Sequence, residues 1–362
     1  MAKSILLLSL LLSSGVAEAA TLIVANKAEA TVSLVALPEG KVVATLPVGS
    51  GPHEVAVSPG GGLALVANYG LAGPENAGST LTLLDVAAAK VVRTIDLGEH
   101  RRPHGMVFLD EHRALVTSEV SKALLEVDVE AGKVLSTVAT GQEISHMVAV
   151  TPDGSRAFVS SIRSGTVSAI DGKAKVLLKN VPTGDGAEGI AVTPDGKQVW
   201  VTNRAVDTVS VLDAASLEVL TSLPCASFPI RVEATPDGSR VLVSNAKSGD
   251  LAVFTTADRK LERRISLAPT AKETDGRLMG DFGSSSVPIG IEIAPDGKRA
   301  YVAHANADQI TILDLETWTA VGSLTAGKEP DGMGYSKLDA PSPGPSPAEA
   351  GEGKRSAGLA RI

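Results

Sequence analysis

From Thr21 to Ser336 the chain is a succession of short runs in which apolar residues, many of them β-branched, alternate with polar ones. Alternation with period two predicts half-buried β-strands rather than helices. TVSVLD (Thr208–Asp213) and QITILD (Gln309–Asp314) are clear cases. A turn signature recurs between the runs. It reads TPDG at Thr151–Gly154, Thr193–Gly196 and Thr235–Gly238, APDG at Ala294–Gly297, and SPGG at Ser58–Gly61. Pro presets φ for the second turn position, and Asp and Gly suit the tight positions after it. Each signature therefore predicts a hairpin between two strands.

The strands fall into a repeated unit of four. Strand A precedes the turn, as in HEVAV, HGMVF, HMVAV and EGIAV, and strand B follows it, as in LALVAN, ALVTS, AFVSS and VWVTN. Strand C comes next (TLTLLD, ALLEVD, TVSAID), and strand D ends the unit (VVRTIDLG, VLSTVATG). The aligned positions Pro52, Pro103, Ser145, Ala187, Pro229, Pro288 and Pro330 recur at 42-residue intervals, apart from two longer ones. The first unit begins directly at strand B with LIVAN, and its missing strand A reappears at the other end of the chain as DGMGYS, Asp331–Ser336. A period of this length with four strands per unit predicts an all-β, seven-bladed β-propeller. The C-terminal strand A is expected to join the N-terminal blade, closing the ring and leaving no open sheet edge. The two longer intervals reflect insertions at 70–78, between strands B and C of blade 2, and at 269–286, before strand A of blade 7.

The strand-B runs VANK, VANY, VTNR and VSNA, with the SVLD-type strands and TPDG turns, resemble the YVTN repeat. The mature chain, about Thr21 to Leu338, is similar to YncE-like seven-bladed propeller proteins of bacterial envelopes. That resemblance implies a fold, and only broad functions: surface-layer, binding and periplasmic proteins.

Composition sharpens the picture at the two ends. Lys3, the apolar stretch Ile5–Leu12 and Ala17-Glu18-Ala19 make a secretory signal peptide, residues 1–19, with cleavage after Ala19. No transmembrane segment is expected after cleavage, and the location is read as periplasmic or secreted. Residues 20–338 form the propeller. Residues 339–362 are rich in Pro, Gly, Ser and Ala and are read as a disordered tail. Cys225 is the only cysteine, so no intramolecular disulfide can form. The net charge of −8 and the absence of a basic cluster count against nucleic acid as a partner.

Candidate chemistry comes from the register. Aligned residues at the start of strand A are Asp331, His53, His104, His146, Glu188, Ile230 and Ile289, from blade 1 to blade 7. Equivalent repeat positions surround one axis, so five polar groups are expected at one level of the channel mouth. Imidazole and carboxylate suit a divalent transition metal (Zn, Fe, Mn or Cu). His53, His104, His146 and Glu188, with Asp331 as an addition, are the expected ligands. An alternative is a solvated rim or inter-blade packing, because this position shares strand parity with Val55, Val57 and Met106. Tyr69, Glu119 and Arg204 follow strand B and are expected on the same rim, with Arg231 and His304 as further ligand-binding candidates. Glu54, Arg231, Glu233 and Glu292 lie on the other parity and also read as inter-blade ion pairs.

The leading functional reading is an extracytoplasmic ligand- or protein-binding module with a divalent metal at the channel mouth. Its partner would be a small molecule or an envelope protein, met at the face that carries both insertions. A metal-dependent hydrolase or lyase, similar to lactonase propellers, is an alternative. DNA binding, implied by a YncE-like relative, is another.

Overall fold

In a computed structural model, residues 19–339 are described, apart from 268, 270, 272–276, 278 and 279. The signal peptide up to residue 18, part of the 269–286 insertion and the tail from residue 340 therefore lie outside the described residues. The described residues form seven four-stranded antiparallel sheets and three one-turn 3-10 segments. Six sheets are consecutive in sequence. They begin with Pro52–Val57, Leu63–Gly70, Ala77–Asp85 and Lys90–Asp96 of blade 2 and finish with Pro288–Ile293 to Thr319–Leu324 of blade 7. Blade 1 is composite. Pro330–Ser336 pairs antiparallel with Ala20–Asn26, placing Leu22 opposite Tyr335 and Ile23 opposite Gly334. The seven-bladed ring and its closure are as the repeat predicts.

The core lies between blades. Leu65, Leu81, Val116 and Leu125 pack blade 2 on blade 3, and equivalent clusters join each neighbouring pair. The closing interface uses the same apolar chemistry, with Leu22, Val24, Tyr301, Ile310 and Met333 buried together. Burying each such side chain contributes about 1.5–3 kcal/mol, so packing alone can hold a ring without disulfides.

Two recurrent details shape the channel mouth. The first is a β-bulge at the start of every strand A. Pro52 pairs with Asn68 and Val55 with Val66, so His53 and Glu54 together face one residue, Ala67. The same irregularity occurs in the other six blades. A bulge breaks the alternation of side chains between faces. The expectation that His53 and Glu54 point to opposite sides therefore does not hold, since both meet partners in the channel.

The second detail explains the hydroxyl and amide of the VTN signature. Thr117 accepts the Gly105 N–H at 2.9 Å and donates to the carbonyl of His146, in the next blade, at 2.6 Å. Thr202 and Ser244 link their neighbours in the same way. Asn26 donates to Thr31 and Ser33 of strand C and accepts the Gly327 N–H, stitching three segments of one blade.

Candidate functional site

Each blade presents three residues at the mouth. One is the first bulge residue of strand A. The second follows strand B, and its N–H is bonded to the carbonyl of the third, which lies just before strand A. The pairs are Lys27 with Glu329, Tyr69 with Gly51, Glu119 with Arg102, Ile162 with Ile144, Arg204 with Gly186, Ala246 with Phe228 and Ala305 with Val287. All seven acceptor residues have positive φ. Only two are Gly. Ile144 and Val287 are β-branched, with φ of 58° and 55°, a conformation that costs roughly 1–3 kcal/mol. The ring of contacts enforces it. Neighbouring A strands also approach closely. A Cβ on Gly290 would collide with the Asp331 carbonyl oxygen, and one on Gly332 with that of His53.

This packing brings three imidazoles together. The His104 ring lies between those of His53 and His146, with centroids 4.4 and 3.6 Å away. His104 is 1% exposed, and neither of its ring nitrogens has a hydrogen-bond partner among the described residues. Glu54 is near, but its Oε1 lies 3.9 Å from His104 Nδ1. The flanking rings are oriented by carboxylates. His53 Nδ1 meets Asp331 Oδ2 at 2.7 Å, and His146 Nδ1 meets Glu119 Oε1 at 2.7 Å. Tyr69 donates to the other oxygen of Glu119 at 2.6 Å. His53 Nε2 lies 2.6 Å from Lys27 Nζ, and His146 Nε2 lies 3.4 Å from Glu188 Oε1.

Arg231, from the second bulge position of blade 6, reaches carboxylates of blades 2 and 5. It meets Glu54 Oε1 at 2.5 Å and Glu188 Oε1 at 3.2 Å. Glu188 is also held by Arg204 at 2.5 Å. Burial, reinforced by the Lys27 charge, pushes the His53 pKa down to about 4, against the pull of Asp331. Burial and the two neighbouring imidazoles put His104 well below its ordinary value. Burial also works against charge on His146, but its hydrogen bonds to Glu119 and Glu188 outweigh this and raise its pKa. Glu188 is likewise penalised by burial, yet His146 and Arg204 hold it down at about 2.

The mouth encloses a cavity of about 200 Å³. All seven strand-A residues of the predicted ring line it, from Asp331 to Ile289, as do Tyr69, Glu119, Arg204 and Arg231. His304 does not. It is buried behind the rim, with Nδ1 on Ser286 Oγ and Nε2 on Thr311 Oγ1, both at 2.8 Å. It takes the place that Asn26 has in blade 1 and makes equivalent bonds. Sequence reasoning missed Lys27, although it follows strand B in blade 1 just as Tyr69, Glu119 and Arg204 do in theirs. The described ends of both insertions reach the mouth. Arg102 stacks over Tyr69 at 4.6 Å and donates to the carbonyls of Leu71 and Gly73, while Phe282 packs edge-on against Phe228 at 4.9 Å.

Residues 113–276 match a family model described as a YNCE-like beta-propeller. That span, under half of the chain, is similar to YncE-like propellers. The propeller fold is also found at low identity in solved structures. A chain of Kuenenia stuttgartiensis hydrazine synthase is 20% identical, with a TM-score of 0.65, covering 78% of this chain and 88% of that one. A functionally unknown protein from Desulfotomaculum acetoxidans is 14% identical, with a TM-score of 0.71, covering 88% of this chain and 99% of that one. No curated protein sequence matches the chain. At these identities the fold alone is what is shared. Among the described residues no helix is long and apolar enough to cross a membrane.

Proposed function

We propose that this YncE-like propeller is an extracytoplasmic binding module that holds a divalent transition metal at its mouth on His53, His104 and His146. His104 carries the reading. A fully buried imidazole with two unpartnered nitrogens costs free energy unless a ligand satisfies it. The flanking rings support the same reading. Each turns Nδ1 to a carboxylate, the usual arrangement around a metal-bound imidazole; Nε2 of His146 is then open to coordinate, whereas Nε2 of His53 must first release Lys27 Nζ. The donor atoms of His104, Glu119 and His146 lie within 4.8 Å of one another, as do those of His53, Glu54 and His104, so His104 is common to two overlapping groups, each of two imidazoles and one carboxylate.

This assignment moves Glu188 and Asp331 out of the ligand set expected from sequence. Asp331 orients His53, and Glu188 is neutralised by Arg204 and Arg231. Three imidazoles leave one tetrahedral position for a ligand from the cavity, where the ion would supply Lewis acidity. The N-terminal segment 1–19, with Lys3, Ile5–Leu12 and Ala17-Glu18-Ala19, supports export to the periplasm or beyond.

Metal analysis of the purified chain tests this reading. About one equivalent of metal is expected in the wild type, with loss in His104→Ala. Substoichiometric metal that is unchanged in His104→Ala would overturn it.

A further inference from the structure

The mouth is divided into two unlike arcs. Blades 1 to 5 supply the imidazoles, the carboxylates, Lys27 and Arg204 to the cavity, with Ile144 and Ile162 of blade 4 between them, whereas blades 6 and 7 supply Ile230, Ile289 and the guanidinium of Arg231. Behind these two isoleucines lie Ala246, Val287 and Ala305, all buried, with Phe228 and Phe282 packed against them. Blades 6 and 7 are thus the apolar exception in all three mouth positions at once. The apolar arc is flanked by a cation on each side, Arg204 in blade 5 and Lys27 in blade 1, and it faces the His104 side of the ring.

Three observations define what fits. A cavity of about 200 Å³ is somewhat larger than the ~150 Å³ apolar cavity that accommodates benzene, so it admits a small organic body. Ile230 and Ile289 offer that body an apolar surface, which gains by excluding water. The charges set the sign of its head group. Lys27, Arg204 and Arg231 stand against Glu54, Glu119, Glu188 and Asp331, leaving one negative charge in excess with neutral imidazoles. A divalent ion turns that into one positive charge in excess.

We infer that the metal-loaded mouth binds a small monocarboxylate with a short hydrocarbon body, its carboxylate toward His104 and its hydrocarbon against Ile230 and Ile289. The inference rests on the metal reading above. Carboxylate oxygen is an established ligand for such an ion, and one monoanion leaves the mouth neutral. Without the ion the carboxylate has no metal to bind among four carboxylates that line or flank the mouth.

Calorimetric titration of the purified chain tests this in two steps. Zinc alone is added first, then acetate, butanoate, 3-methylbutanoate or 3-methylbutylammonium, to zinc-loaded and to chelator-treated protein. The expected result is zinc-dependent binding of the carboxylates, with 3-methylbutanoate at least about tenfold tighter than acetate. The ammonium compound is expected not to bind the loaded protein. In Ile289→Asn, zinc affinity should persist while the preference over acetate shrinks severalfold. If that variant fails to fold, the acetate-to-3-methylbutanoate series in the wild type decides alone. Zinc binding without carboxylate binding, or with no gain from the longer chain, overturns this inference and leaves the metal reading intact. Failure to bind zinc overturns both.

Discussion

Lys27 Nζ lies 2.6 Å from His53 Nε2, on the nitrogen that a metal would need. The ammonium also lies 3.4 Å from Asp331, which orients the same ring. Lysine and metal therefore compete for one lone pair. Lys27→Met is expected to raise zinc affinity roughly tenfold, on the scale of one hydrogen bond plus one removed repulsive charge. Competition with a chelating dye measures this. Unchanged or weaker affinity would show that Lys27 does not occupy the coordinating position.

Arg231 is buried between Glu54 and Glu188. Removing it strands carboxylates that cannot reach water. Arg231→Met is expected to cost about 3–5 kcal/mol of stability. The Arg231→Met, Glu54→Gln double variant should recover part of that loss, because Glu188 keeps Arg204. Denaturant unfolding of the two variants checks the ordering. Equal losses would remove Glu54 from the account.

His304 is buried, and burial takes its pKa down from 6.5 to about 3. Between those values the unfolded chain binds a proton that the folded chain refuses. Its contribution to stability is therefore whole above pH 6.5 and is lost as pH falls toward 3. By pH 4 the loss is on the order of 3 kcal/mol. His304→Asn restores the residue that blade 1 has at Asn26 and should remove this sensitivity. Thermal melts of both proteins from pH 7 to pH 4 measure the difference, and parallel curves would count against it.

At the other end of the channel the sign reverses. Burial raises the pKa of Glu292 to about 8, and burial together with Glu292 raises that of Glu233. The folded chain keeps protons there that the unfolded chain has lost. This contribution is whole below pH 4.5 and is lost as pH rises through 8. Glu292→Gln is expected to be more stable than the wild type at pH 9, by on the order of 2 kcal/mol. A variant equally stable or less stable at that pH would contradict the shift.

Much of the ring was legible in the chain because each blade repeats the same local chemistry. The TPDG turns, the VTN endings and the stray strand at Asp331–Ser336 all carry local meaning, and register then placed His53, His104, His146 and Glu188 at one level. What could not be read was geometry that breaks the period. The bulge after Pro52 defeats parity, so the inter-blade ion pair expected of Glu54 and Arg231 forms inside the channel, close to the histidines. His304 reads as chemistry because it ends strand B of blade 7 on the same side as the histidine column, yet its ring fills an asparagine's structural place. The positive φ of Ile144 and Val287 has no sequence signal, since β-branched residues rarely adopt it.

Ring closure has a consequence for synthesis. Asp331 arrives with the last strand and Lys27 with the first, and both converge on His53. Until residues 330–336 have left the ribosome and paired with Ala20–Asn26, His53 has neither its carboxylate nor its lysine. The mouth thus matures last. A nascent or truncated chain presents His104 and His146 without the blade that completes them.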